Sequence, residues 1–176
     1  CAKGSHPPVG IGQSSTSAHV RLLETRLPGS RNKVWPLDCP ALFDRPGNPY
    51  HDAEGRAYAD NAERFMLLCR VGALLAEDAF DLGWRPEVVH CNDWQSALVP
   101  LLLHARHPRP ALVFTIHNLA YQGLFPPADF GRLGIAAHYW HPDALEFHDQ
   151  FSFIKGGIVF ADRVTTVSPS YAREIQ

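Results

Sequence analysis

The sequence predicts an α/β fold built on a doubly wound parallel sheet flanked by helices, and three observations carry that expectation. Glu87-Val88-Val89-His90-Cys91 and Ala111-Leu112-Val113-Phe114-Thr115-Ile116 are short apolar runs without polar alternation, as in strands covered on both faces. Between them, residues 95–106 are mostly Leu and Ala, long enough for the crossover helix of a parallel βαβ unit. The pattern then continues to give the order β-α-β-α-β-α. In open parallel sheets, ligands bind beyond the carboxyl ends of the strands. Both apolar runs stop there at polar clusters, Asn92-Asp93-Trp94 and His117-Asn118-Leu119-Ala120-Tyr121-Gln122-Gly123.

Residues 1–19, rich in Gly, Ser, Pro and His, read as a flexible loop, and residues 20–176 as one domain. Residues 20–25 and 33–37 are short strand candidates parted by Leu27-Pro28-Gly29-Ser30, a turn signal. Residues 38–56 carry Pro40, Pro46, Gly47, Pro49 and Gly55 and read as a long irregular loop, a kind that is often functional. A helical pattern begins at Tyr58, runs through Ala62, Phe65, Met66, Cys69, Ala73 and Ala76, and stops near Gly83. Arg64 either faces the site or solvates its helix, and the solvated side is favoured. In the central crossover, Pro100 is compatible with a helix starting near Val99, and residues 92–97 are then a loop or a first turn. Residues 126–142 read as loop with short helical turns. Residues 144–161 read as one largely buried helix, since Leu145, Phe147, Phe151, Phe153, Ile154, Ile158 and Phe160 give more than one apolar stripe. Gly156-Gly157 would cost an isolated helix about 1 kcal/mol each, which implies close packing against another backbone. Residues 163–167 are a further strand, and Ser168-Pro169 read as the N-cap and first residue of a terminal helix. Residue 1 is Cys and residues 170–176 look like a helix cut short, so the chain is expected to be a fragment at both ends.

Composition excludes several classes of function. Of 176 residues, 45% are hydrophobic, enough for a packed core. The 16 basic and 18 acidic residues leave a net charge of −2, which gives no basis for a nucleic-acid surface. No apolar run approaches the roughly 20 residues of a membrane span, and no signal peptide is visible, so a cytoplasmic protein is expected. Cys1, Cys39, Cys69 and Cys91 contain no C-x-x-C pair and read as reduced, buried thiols. Among ten histidines, the pairs His104/His107 and His138/His141 lack acidic or Cys ligands at matching spacing, so no metal is expected. Lys155-Gly156-Gly157 falls inside a helical stretch without a phosphate-loop pattern, and no Gly-x-Ser-x-Gly elbow offers a serine nucleophile.

The residues left for chemistry are those at the two strand ends. Asp93 and His117 pair a carboxylate with an imidazole. Asn118, Gln122 and Tyr121 add neutral donors and acceptors, and Trp94 and Tyr50 offer flat apolar faces. That mixture suits a carbohydrate, which presents many hydroxyls and apolar ring faces. The competing reading makes Asp93 a helix cap and His117 an orienting core residue.

Four separate stretches in order closely resemble bacterial glycogen synthases and plant starch synthases. They are Asp38-Cys39-Pro40-Ala41-Leu42-Phe43-Asp44-Arg45-Pro46-Gly47-Asn48-Pro49-Tyr50, His90-Cys91-Asn92-Asp93-Trp94-Gln95, Thr115-Ile116-His117-Asn118-Leu119-Ala120-Tyr121-Gln122-Gly123, and Ser152-Phe153-Ile154-Lys155-Gly156-Gly157 with Thr165-Thr166-Val167-Ser168-Pro169. The resemblance covers residues 22–176. It implies a GT-B glycosyltransferase, with two Rossmann-like domains across a cleft, transferring glucose from ADP-glucose to the non-reducing end of an α-1,4-glucan such as glycogen with retained configuration. It makes ADP-glucose a substrate and requires no cofactor. It implies that His117 lies beside the donor glucose, that Asp93 and Asn118 bond sugar hydroxyls, and that Tyr50 and Trp94 wall the acceptor path. Two family features are missing: the opening strand with its Lys-x-Gly-Gly loop, and the second, nucleotide-binding domain. The chain is therefore expected to be part of the N-terminal, acceptor-side domain and to transfer no glucose alone. The alternatives are a non-catalytic glucan-binding module and a metal-dependent hydrolase using Asp93, Asn118 and histidines.

Overall fold

The computed structural model describes residues 19–176; the loop expected at the amino terminus lies, but for His19, outside the described residues. The described chain divides into two compact units, the first ending at Arg64 and the second running from Phe65 to Gln176.

In the first unit, β1 (Arg21–Leu22) pairs antiparallel with β4 (Leu37–Asp38), and β2 (Thr25–Arg26) with β3 (Lys33–Val34). The two pairs are successive steps of one hairpin. Its turn is where the sequence placed it: Ser30 N–H donates to Leu27 O at 3.0 Å, and Gly29 takes the left-handed φ of 71° that the turn requires. The segment expected to be irregular contains a short helix, α1 (Pro40–Phe43), with proline in its first turn. Downstream, Asp52 accepts the N–H groups of Glu54 at 3.0 Å and Arg56 at 2.9 Å and so closes a tight turn.

Arg64 corrects the sequence reading. It is only 3% exposed and donates to Leu42 O at 2.8 Å, Pro49 O at 3.0 Å and Asn61 Oδ1 at 2.6 Å. Its guanidinium also lies over the rings of Phe43 and Tyr58. The proline-rich segment has too few regular backbone bonds of its own, and a buried fork of N–H donors gathers its carbonyls. Burial pulls the Arg64 pKa below its usual value.

Helix α2 (Asn61–Ala76) starts after Tyr58 and ends well before Gly83. Its stop is made by Asp78 and Asp81, both at positive φ (55° and 54°), with Leu82 N–H donating to the Asp78 carboxylate at 2.7 Å. Short polar side chains tolerate that conformation, so no glycine is needed for the stop.

The second unit is organised by β5 (Val88–Asn92), β6 (Ala111–Ile116) and β10 (Arg163–Thr166), parallel and in the order β10-β6-β5. The central β6 buries Leu112, Phe114 and Ile116 at 0%, 0% and 4% exposure. On the opposite face of the sheet Val88, His90 and Asn92 of β5 are exposed, so within the described residues β5 is covered on one face rather than on both. A row of polar contacts runs across the uncovered face: His90 Nε2 to Thr115 Oγ1 at 2.6 Å, and Thr115 Oγ1 to Thr165 Oγ1 at 2.7 Å. The crossover is a single turn, α3 (Asp93–Ser96), followed by α4 (Leu98–Leu103). Pro100 falls in the first turn of α4, where its missing N–H costs no bond.

After β6 come β7 (Leu124–Phe125), α5 (Pro127–Arg132), β8 (Glu146–Phe147), β9 (Gln150–Ser152) and α6 (Phe153–Phe160). The helix expected over residues 144–161 is therefore half hairpin. β8 and β9 pair antiparallel through a two-residue turn, His148-Asp149, with φ of 49° and 60°, the signature of a primed turn. The apolar residues misled because Leu145, Phe147, Phe151 and Phe153 alternate about as well as they follow a helix. The true helix starts at Phe153; Gly156 packs against backbone as expected, whereas Gly157 packs against a side-chain ring. A Cβ on Gly156 would meet the Ala97 carbonyl oxygen at 2.8 Å, and one on Gly157 the Phe114 ring at 2.6 Å. Lys155 Nζ donates to Glu146 O at 2.6 Å and to Pro142 O, so this lysine holds loop carbonyls. Helix α7 (Pro169–Glu174) is capped as read: the Ser168 hydroxyl accepts from Tyr171 N–H at 3.1 Å.

Asp162 fixes the entry to β10. Both its oxygens take Arg109 N–H donors at 2.7 Å, and one also takes Leu112 N–H at 2.7 Å. The Arg109 guanidinium holds the Asp162 carboxyl well below the usual carboxylate range. A depressed carboxyl pKa stabilises the fold above the ordinary carboxylate pKa, and that contribution fades as pH falls below it. Cys39, Cys69 and Cys91 are buried free thiols; burial pushes Cys69 and Cys91 up to about 12.

Gly157→Ala should lower stability by about 1–3 kcal/mol, because the added methyl overlaps an immobile buried ring. Gly131→Ala, at a helical glycine with open space around it, should be neutral or stabilising by up to ~1 kcal/mol. Parallel thermal unfolding of the two variants checks the contrast; equal melting temperatures would show that α6 does not sit this close to β6.

Candidate functional site

Strands β5 and β6 end side by side, with Asn92 opposite Thr115. The next residue, Asp93, takes a φ of 54°, a conformation that costs most side chains about 1 kcal/mol or more. It turns the chain directly from strand into α3. Its carboxylate accepts the main-chain N–H of His117 at 2.8 Å, which joins the ends of the two strands.

The imidazole of His117 is held separately. Its Nε2 donates to Asn92 Oδ1 at 3.0 Å, since a carboxamide oxygen only accepts. Asn92 is fixed in turn by Ser96, whose hydroxyl accepts Asn92 N–H and donates to Asn92 O, both at 2.7 Å. Main chain and ring of His117 are thus anchored by two consecutive residues of the neighbouring strand end.

The loop after His117 is built of local turns. Asn118 Oδ1 accepts Ala120 N–H at 3.0 Å, and Asn118 O accepts Tyr121 N–H at 3.2 Å. Leu119 N–H donates to the Tyr171 hydroxyl at 2.7 Å, which ties the loop to α7. Gln122 and Gly123 accept the N–H groups of Ile154 and Phe153 at 3.1 and 3.0 Å. Those carbonyls satisfy the first donors of α6, which explains why Ser152 makes no side-chain cap. Gly123 is required here: its φ is 60°, and a Cβ would lie 2.4 Å from the Trp94 ring.

Of the residues the sequence put forward, Asp93, His117 and Asn118 share one rim, and Gln122 is half-buried in the same loop. Trp94 is not an open wall. It is 8% exposed and packs against Phe65, Phe125 and Phe153 with ring centroids 4.5, 5.9 and 6.0 Å away. Its indole is the floor on which Gly123 rests. Tyr50 belongs to the first unit, where its carbonyl accepts from Asn61 Nδ2 at 3.0 Å and its ring stands edge-on to His51. Sequence reasoning missed Asn92 and Tyr171. Asn92 adjoins Asp93 in the first polar cluster and was legible there; Tyr171, more than 50 residues from its partner, carried no local signal.

Chemically, this rim offers a fixed imidazole, a carboxylate and a carboxamide, with the Tyr121 ring 67% exposed beside them. Such an array suits a neutral polyhydroxylated ligand better than an anion, since among the described residues it contains no lysine or arginine. Among the described residues, no three His, Cys, Asp or Glu side chains converge on a metal-sized site, and no helix is long and apolar enough to cross a membrane.

Residues 4–176 match the family described as starch synthase catalytic domain. The chain is 56% identical over 169 residues to glycogen synthase 1 of Methylococcus capsulatus, covering 96% of this chain and 34% of that protein. It is 58% identical over 158 residues to the glycogen synthase of Marinobacter nauticus, covering 89% and 32%. Its fold matches the catalytic domain of starch synthase IV from Arabidopsis thaliana bound to ADP and acarbose, with a TM-score of 0.77 and 26% identity over 99% of this chain and 35% of that one. The chain spans about a third of the length of the relatives it matches.

Gly123→Ala should destabilise the protein by about 2 kcal/mol or more, from the sum of overlap with Trp94 and the left-handed backbone. Chemical denaturation checks it; an unchanged midpoint would show that the loop does not rest on the indole.

Proposed function

The chain belongs to the starch synthase catalytic domain family, and from that premise we propose that it is the acceptor-side part of a glycogen synthase. The full-length enzyme, on this reading, transfers glucose from ADP-glucose to the non-reducing end of an α-1,4-glucan with retention of configuration, in the cytoplasm and without a cofactor. The observation that carries the proposal is the double anchoring of His117, main chain to Asp93 and ring to Asn92. It presents the imidazole and the strand-end backbone as a rigid unit beside Asp93 and Asn118. The ADP and acarbose in the starch synthase IV structure match the two substrate classes proposed, a nucleoside diphosphate sugar and an oligosaccharide.

Retaining transfer passes through an oxocarbenium-like state, in which positive charge grows at the anomeric carbon as the diphosphate leaves. A group held in place beforehand stabilises that charge without reorganising during the reaction. His117 is assigned that role, and Asp93 and Asn118 the holding of sugar hydroxyls; Gln122 shapes the same loop. The groups that stabilise the leaving diphosphate are assigned to the rest of the full-length protein, because the rim carries no lysine or arginine among the described residues.

His117→Ala in the full-length enzyme should lower kcat roughly 10²- to 10³-fold, the range for loss of one preorganised electrostatic contact, with a much smaller change in KM for ADP-glucose. Incorporation of glucose from ADP-glucose into glycogen measures both constants, and the 176-residue chain assayed alone should show none. An unchanged kcat in the variant would remove His117 from the mechanism.

A further inference from the structure

A cavity of about 270 Å³ opens in the second unit between α2, the end of α4 and residues 134–139. Helix α4 returns from the carboxyl edge of the sheet toward its amino edge, so this cavity lies at the end remote from Asp93 and His117. Met66, Leu101 and Ile135 make its apolar floor, and Arg70, His104 and Tyr139 its polar wall.

Arg70 is the unusual member. It is half-buried, and one guanidinium nitrogen donates to Leu133 O at 2.5 Å. No carboxylate pairs with it among the described residues, whereas Arg106 across the rim is paired with Glu77 at 3.0 Å, Arg109 with Asp162 and Arg132 with Asp129. Burial pulls the Arg70 pKa below its usual value, and no neighbouring charge pushes it back up. A half-buried cation without a countercharge is costly unless something supplies one. The remaining N–H groups of a guanidinium form a planar fork that matches phosphate oxygens. A second donor stands opposite. His104 Nδ1 donates to Leu101 O at 2.6 Å, and its Nε2 stands 3.2 Å from the Tyr139 hydroxyl. That hydroxyl is a rotor with one hydrogen, and turning it to a ligand gives up a bond to Nε2.

We propose that this cavity binds a small phosphate monoester, with Arg70 as the countercharge, Tyr139 as a further donor, and the ester's body against Met66, Leu101 and Ile135. Carboxylates of similar size bind more weakly, because a planar head with two oxygens reaches fewer of these donors.

The test is calorimetric titration of phenyl phosphate into the full-length protein saturated with ADP, which keeps the nucleotide site occupied. Saturable binding to a single site is expected. Arg70→Gln, which keeps an amide donor for Leu133 O, should weaken it by about tenfold or more, the loss of one charge-assisted hydrogen bond. Ala105→Glu, at an exposed position of the rim, should weaken it comparably without touching the core. Benzoate should bind markedly less tightly than phenyl phosphate. The proposal is overturned if wild-type protein gives no saturable heat, if both substitutions leave affinity unchanged, or if benzoate binds equally well.

Discussion

One hydrogen bond does most to define this site: the Asp93 carboxylate on the main-chain N–H of His117. Strand β5 turns at once into α3, while β6 runs on into a loop, so the two chain directions separate where the strands end. The bond holds them together at that point. Asp93 adopts a left-handed backbone there, a conformation that a short polar side chain tolerates. A hydrogen bond to a charged group contributes roughly 1.5–3 kcal/mol. Asn92 then repeats the device on the imidazole, and Ser96 fixes Asn92.

Below this rim, glycines let the layers approach. Gly123 lies on the Trp94 indole, Gly156 on the Ala97 carbonyl, and Gly157 on the Phe114 ring. Trp94 follows Asp93 in sequence and Gly123 closes the His117 loop, so a single aromatic contact sets the spacing between the two halves of the rim. The carbonyls of Gln122 and Gly123 also start α6. A change in this packing therefore reaches the rim side chains through the main chain, without any altered side chain at the rim itself.

Much of this was legible in the sequence, for physical reasons. The runs that became β5 and β6 are apolar and bounded by polar clusters, and a parallel sheet forces their ends together, so Asp93 and His117 could be paired before any coordinates. The Ser168-Pro169 cap and the close packing of Gly156-Gly157 were readable because each rests on local stereochemistry. Residues 144–161 were not, because their apolar spacing satisfies two periods and the His148-Asp149 turn lacks the glycine that usually announces it. Arg64 was misread because a long charged side chain on a helix looks solvated until the carbonyls that bury it are known. Trp94 was given an open face for the opposite reason: the sequence could not show Phe65, Phe125 and Phe153 closing around it. The resemblance to glucan synthases supplied what spacing could not, the family to which the chain belongs.

The central claim is that Asp93 clamps the backbone of His117. Hydrogen exchange of the His117 amide in the full-length protein tests it most directly. The residue is exposed, so an unbonded amide there would exchange rapidly. The clamp predicts slow exchange in the wild type and exchange faster by roughly 10- to 100-fold in Asp93→Ala, the equivalent of the lost bond. Rapid exchange in the wild type, or the same rate in both proteins, would contradict the account.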